Sequence, residues 1–385
     1  MTTAGRFIMI VVKDDLLILR ETLQRFVDSR LRPLVAEYEA NQRFPIDVTR
    51  EMGQLGCFGA GFPESVGGAG LGKLGQTLVI EELSHASGGI AATTLVQFLS
   101  IYPLYLHGTT EQQSMYLKPA ILGERMAAIA VTEPNHGSNV AGIETVAVPD
   151  GSGYRIKGQK MFITNSPFAD FMVVAAKTPG SDPHHAITLF VVDRNSPGVI
   201  IGGHLKKLGW WTSETAPVYF DNCWVPAAQV IGEAGAGFYY IMEDFNYERL
   251  LLSASSIGLA QEALAVAKAY ATSRSQFGVI IAEFQAVRHK LAQMAVRLEA
   301  GRQLLAHAAT VADEADDFSE LASMAKYFCG EMVNQVAYDA IQILGGAGYL
   351  QDHPLERIYR DARIMTIGGG TSEVQLNIIA KRMGL

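Results

Sequence analysis

The stretch that most constrains the fold is residues 246–277, NYERLLLSASSIGLAQEALAVAKAYATSRSQF. Apolar residues recur at Ile257, Ala260, Leu264, Ala267 and Ala271, and again at Leu259, Ala263, Val266 and Tyr270. Two apolar stripes on one helix require packing partners on both sides, so this helix belongs inside a bundle. Glu248 and Arg249 stand near its expected start, and Arg274, Gln276, Phe277 and Gly278 lie just past its end. An acid in a first helical turn complements the macrodipole by a few tenths to about 1 kcal/mol. From this stretch alone, that role and a chemical one are both open for Glu248.

The partners follow in the same region. Phe284, Val287, Leu291, Met294, Leu298, Gly301, Leu305 and Ala308 recur three and four apart, as do Ala322, Ala325, Cys329, Met332 and Val336. With a last helix near residues 374–381, residues 237–385 read as a four-helix bundle. Residues 1–127 also read as helical, with Thr110 and Gln113 placed to form a capping box. Between them, over residues 128–236, ETVAVP, YRIKG, KMFIT, FMVVAAK, ITLFVVD and VYFDNCWV are short, β-branched and aromatic, and separated by turns. The fold class expected is α+β: a helical domain, a β-barrel or sandwich, and a helical bundle. Gly70, Gly72 and Gly75 match the spacing of a dinucleotide fingerprint, but the preceding FPESVGGA is no buried strand, so a loop entering a helix is expected instead.

A net charge of −8 and the lack of basic clusters exclude a nucleic-acid surface. The apolar run Phe7 to Val12 is too short for a signal core or a membrane span, and a cytoplasmic location is expected. Cys57, Cys223 and Cys329 lack ligand spacing, and His184–His185 sits in a turn without carboxylates around it. Reduced thiols and no metal are expected.

Five strings mark the junctions: Val131-Thr132-Glu133-Pro134 through Gly137-Ser138; Lys160-Met161-Phe162-Ile163-Thr164-Asn165; Arg274-x-x-Phe277-Gly278 with Phe284-Gln285; Gln342-Ile343-Leu344-Gly345-Gly346-x-Gly348-Tyr349; and Arg360-Asp361-x-Arg363 followed by Gly370-Thr371-Ser372-Glu373. In this order, over essentially the full length, they resemble the acyl-CoA dehydrogenase family. The resemblance implies FAD as cofactor, an acyl-CoA or acyl-carrier-protein substrate, an electron-transfer flavoprotein as acceptor and a homotetramer. It implies that Thr164 hydrogen-bonds the flavin and Phe162 lines its ring, beside the Val131–Thr132 backbone. Strand alternation would put Phe162 and Thr164 on one face. Arg274, Phe277, Gln342, Gly345 and Gly346 would hold the FAD diphosphate and adenosine, and Thr371 and Glu373 complete the cofactor set. For Gly345–Gly346 a helix stop and turn is the plain structural alternative. Ser138, Asn246 and Arg249 would lie along the substrate.

Much of the family carries its base in a Y-E-G-T string, where this chain reads Gly368-Gly369-Gly370-Thr371. A branch that includes isovaleryl-CoA and long-chain dehydrogenases places the base where this chain has Glu248. The activity implied is α,β-dehydrogenation of an acyl thioester. Glu248 would take the α-proton, and the Gly369 N–H would support the thioester carbonyl. Arg249 is either a substrate neighbour or an ion-pair partner. Two departures stand out: Asn135-His136-Gly137-Ser138-Asn139 replaces a family acid with an amide and adds His136, read as solvent-facing, and Trp210–Trp211 has no assigned role. A carrier-protein substrate, an oxidase or monooxygenase on the same fold, and a flavin-free scaffold are the competing readings.

Overall fold

The computed structural model describes residues 14–179, 182, 185–351 and 353–385. The run Phe7 to Val12 and His184 lie outside the described residues. The first helical segment comprises α1 (Asp14–Phe26), α2 (Arg32–Asn41), α3 (Thr49–Gln54), α4 (Gly72–Ala86), α5 (Gly88–His107), α6 (Thr110–Gln112) and α7 (Lys118–Ile121). Gly70 lies in the loop before α4 and Gly72 is the first residue of that helix, as the strand-less context required. The capping box is one residue earlier than expected. Thr109 accepts from the Gln112 N–H and Gln112 reaches back to the Thr109 N–H. Thr109 has the extended backbone that a cap needs, so Thr110 already belongs to the helix.

The strands are β1 (Ala127–Ala130), β2 (Val146–Asp150), β3 (Gly153–Thr164), β4 (Phe171–Lys177), β5 (Ile187–Asp193), β6 (Val199–Ile201), β7 (Thr215–Pro226) and β8 (Val230–Ile231). They form one mixed sheet in the order β6-β7-β3-β2-β4-β5-β8, with β1 parallel to β4. Alternation assigns the two faces of β4. Phe171, Val173 and Ala175 join the helical core, whereas Met172, Val174 and Ala176 join a second core with Ile156, Phe190, Val218 and Phe220. One side of the sheet is therefore fixed to the helices, and the other closes over its own apolar filling.

The third segment has α8 (Gly237–Ser273), the short strands β9 (Ser275–Gln276) and β10 (Val279–Ile280), α9 (Gln285–Glu314), α10 (Ser319–Leu344), α11 (Pro354–Ala362) and α12 (Ser372–Arg382). Ala322, Ala325, Cys329, Met332 and Val336 are buried on α10 as their spacing predicts. Gly301 lets α9 and α10 approach closely, because a Cβ there would lie 3.2 Å from the Cys329 sulfur. The three long helices run up, down and up through short links, so the loops after α8 and α10 meet at one end of the bundle. Helices α5 and α8 are long and apolar enough to cross a membrane, but their apolar windows are largely buried inside the protein.

Candidate active site

Helix α8 starts nine residues earlier than its apolar stripes suggest, at Gly237 rather than Asn246. Phe238, Ile241, Met242 and Phe245 continue the inward face, and aromatic side chains masked the periodicity. Glu248 thus lies three turns inside the helix, too far in for an acid that complements the dipole. Glu248 keeps only a minor part of its surface exposed and its carboxyl sits deep, as at the bottom of a recess. Burial pushes it up to about 7, against the charges of Arg249 and Lys326, which pull it down.

Gly369 faces it. A Cβ built on Gly369 would lie 3.2 Å from the Glu248 carboxyl carbon and 2.5 Å from a Leu252 methyl. Gly369 and Gly370 have φ of 63° and 88°, a left-handed turn that only glycine enters cheaply. Two buried side chains hold this turn by its carbonyls. Lys326 donates its Nζ to the Gly370 oxygen, and Gln375 Nε2 donates to the Gly369 and Gly370 oxygens at 3.0 Å each. The Gly369 N–H donates to no acceptor among the described residues. Sequence reasoning missed Lys326 and Gln375, although a lysine inside the apolar stripe of α10 was a visible signal. Burial pulls Lys326 down to about 8, with the Glu248 charge opposing. Gly369→Ala is expected to destabilise the protein by about 1–3 kcal/mol, read as a lowered melting temperature; unchanged melting would mean that the turn stands clear of α8.

Arg249 is buried, and its Nη1 donates to the Asn246 carboxamide oxygen while Nε has no partner. It forms no ion pair among the described residues, although the Glu248 charge acts on it. Two of the strings meet in a buried ion pair. Lys160 Nζ lies 2.7 Å from Glu133 and 3.0 Å from the Val131 carbonyl oxygen, and Glu133 also accepts from the Glu144 and Thr145 N–H groups. Burial pulls Lys160 down to about 8, Glu133 opposing. Burial alone would raise Glu133, but Lys160 and the added donors carry it below the usual carboxylate range. Both members are therefore charged at neutral pH.

Phe162 and Thr164 both lie on the less buried side of β3 with Ile163 buried between them, as alternation expects, but the strand is irregular just before them. β3 pairs with β7 through a register shift between Lys160 and Ile163, and Phe162 has φ of 62°. This bulge turns Phe162 out to 65% exposure, while Thr164 Oγ1 meets Thr215 Oγ1 at 3.1 Å. The Val131 and Thr132 carbonyls are taken by Lys160 and by the Met161 N–H. Asn165 Nδ2 donates to the Thr93 and Ala127 oxygens, which fixes the end of β3 against α5. Beside the start of α5, Trp210 Nε1 and Ser213 Oγ are buried without partners.

Arg274, Phe277, Gln342, Gly345 and Gly346 are exposed at the bundle end shared by α8 and α10. Gly345 is the C-cap of α10, as the plain alternative had it, with φ of 61°; a Cβ on it or on Gly346 would meet nothing within 4 Å. The backbone there is open to a ligand. Thr371 caps α12 by accepting from the Val374 N–H, and Glu373 is exposed in its first turn. Ser138 is exposed on the β1–β2 connection. His136 is mostly covered rather than solvent-facing, with Nε2 3.4 Å from Glu144. Trp210 donates its backbone N–H to Asp361 at 2.6 Å, and the Arg360 guanidinium stacks 3.7 Å from the Trp211 ring centre. The tryptophan pair thus ties the β-domain to the fifth string.

Three family models match the chain: acyl-CoA dehydrogenase N-terminal domain over residues 13–124, middle domain over 128–223 and C-terminal domain over 235–384. The caffeyl-CoA reductase–Etf complex subunit CarC of Acetobacterium woodii is 38% identical over 94% of this chain and 96% of its own length. Mitochondrial isovaleryl-CoA dehydrogenase of Oryza sativa is 38% identical over 94% of this chain and 90% of its own. The structure of butyryl-CoA dehydrogenase from Megasphaera elsdenii superposes with a TM-score of 0.96 at 33% identity, covering 98% of this chain and all of the other. With models matching along nearly its whole length, the chain belongs to the acyl-CoA dehydrogenase family of oxidoreductases.

Proposed function

We propose that this protein uses FAD to interconvert an acyl-CoA thioester and its α,β-unsaturated counterpart, with Glu248 as the base. The observation that carries this reading is the raised Glu248 carboxyl against the bare Gly369 turn. FAD, when bound, supplies the acceptor for the β-hydrogen. The residues here fit it. Phe162 offers an exposed ring, Thr164 a hydroxyl, and Trp210 Nε1 and Ser213 Oγ unmet polar edges in the same region. Arg274, Phe277, Gln342 and the open Gly345–Gly346 backbone suit a diphosphate and adenosine.

Glu248 takes the α-proton from the thioester, and a dry recess raises its basicity for that step. The free Gly369 N–H stabilises the negative charge that develops on the thioester oxygen, and Lys326 and Gln375 support the turn by holding the two carbonyls that follow it. Ser138, Asn246 and Arg249 line the approach of the thioester. Run backwards, Glu248 returns the proton, and relatives named as a dehydrogenase and as a reductase fit both directions. The name of CarC supports an electron-transfer flavoprotein as redox partner. The exposed Phe277 and Tyr349 at one bundle end suit burial in a homotetramer, and a cytoplasmic location remains our reading.

The test is the pH profile of flavin reduction by an acyl-CoA. A base works ionised, so the rate rises as pH passes through about 7, the value to which burial brings Glu248. A profile flat from pH 5 to pH 9 would remove Glu248 from this role.

A further inference from the structure

One helical turn before the base, α8 carries a second buried carboxyl, Asp244. It is 0% exposed, and neither of its oxygens has a hydrogen-bond partner among the described residues. Beside it Tyr247 is also 0% exposed, with an unpartnered hydroxyl. Tyr102 of α5 packs on the Tyr247 ring at 4.5 Å between centres and is the one of the three that reaches the surface, at 8% exposure. Asp244 and Glu248 lie four residues apart on one helix face, about 6 Å along the axis. Each senses its neighbours electrostatically: Asp244 feels Glu248 and Glu243, and the tyrosines feel Asp244 and Asp313.

Three unpartnered polar atoms this deep are costly, and apolar side chains of the same shape would pack as well or better. A metal does not explain them. Among the described residues the one acidic or histidine cluster compact enough for an ion is Glu81, Glu82 and His85, and Arg302 and Arg20 already neutralise its carboxylates. A ligand carboxylate would meet Asp244, Glu243, Glu248 and Asp313, with the nearby cation Lys73 already turned to the Ala312 oxygen and Asp313. A full positive charge would be stripped of water against two aromatic rings. What fits is a neutral donor that can also accept.

We propose that Asp244, Tyr247 and Tyr102 form a polar terminus to the acyl pocket, and that the substrate is an acyl thioester carrying a hydroxyl, aliphatic or phenolic, about one helical turn beyond the reacting carbons. This rests on the thioester reading above. Tyr102 swings aside to admit the hydroxyl, Asp244 and Tyr247 bond it, and the α-carbon is thereby registered against Glu248.

The test measures binding in Glu248→Gln holoenzyme with matched pairs: hydroxyphenylpropanoyl-CoA against phenylpropanoyl-CoA, and omega-hydroxyhexanoyl-CoA against hexanoyl-CoA. At least one hydroxylated member should bind at least about tenfold tighter than its partner. Asp244→Leu should abolish that difference while melting no lower than its parent, Tyr247→Phe should reduce it, and Asp244→Asn should retain it. Equal binding within both pairs, or a preference that survives Asp244→Leu and Tyr247→Phe, overturns the proposal. Flavin bleaching in the same samples would report instead that Glu248 is not the base, so the two failures are told apart.

Discussion

Replacing Glu248 by glutamine is expected to slow flavin reduction by an acyl-CoA by a factor of about 100 to 10,000, with FAD still bound. The substitution keeps the shape of the side chain and removes only its capacity to accept a proton. Burial and the Glu248 charge hold Asp244 well above the usual carboxylate range, so it is a poor acceptor in its place. Gly369 has no side chain to offer, and the Leu252 methyl occupies the space that one would take. Rapid-mixing spectroscopy checks this, and a variant that reduces its flavin as fast as the parent would show that the base is another group.

Lys160→Met is expected to cost about 3–5 kcal/mol of stability, the largest effect foreseen away from the site. It strands a carboxylate that is 3% exposed in the β-domain core. Glu133 would keep its bonds from the Glu144 and Thr145 N–H groups but lose its countercharge. Adding Glu133→Gln should recover part of the loss, because the stranded charge is then gone. Thermal melting of the two variants reads this. Equal melting of Lys160→Met and its parent would mean that water enters to solvate Glu133. The same pair fixes the path of the chain from β1 into β3, so the double variant should also loosen FAD binding.

The helices of the bundle were legible because their inward residues repeat cleanly, as Ala322 through Val336 do. The start of α8 was not, because Phe238, Tyr239 and Tyr240 blur the stripe. Within the site, the missing acid at Gly369 and the acid at Glu248 could be read as alternatives from the chain alone. That they face each other required the fold, since 121 residues separate them. The bulge at Phe162 escaped because a left-handed phenylalanine has no signature in a strand pattern. Lys160 with Glu133, Lys326 with Gly370, and Trp210 with Asp361 are all long-range pairings. The first joins two of the strings, whereas Lys326 and Trp210 lie outside all five.

The absorbance of the purified FAD-loaded protein, titrated anaerobically with a panel of saturated acyl-CoAs, tests thioester dehydrogenation most directly. At least one of them is expected to bleach the flavin band, with the enoyl thioester appearing in step. A bound flavin that no CoA thioester bleaches, while the same acyl groups on a carrier protein do, would contradict the substrate assigned here, and a flavin that neither reduces would contradict the dehydrogenation itself.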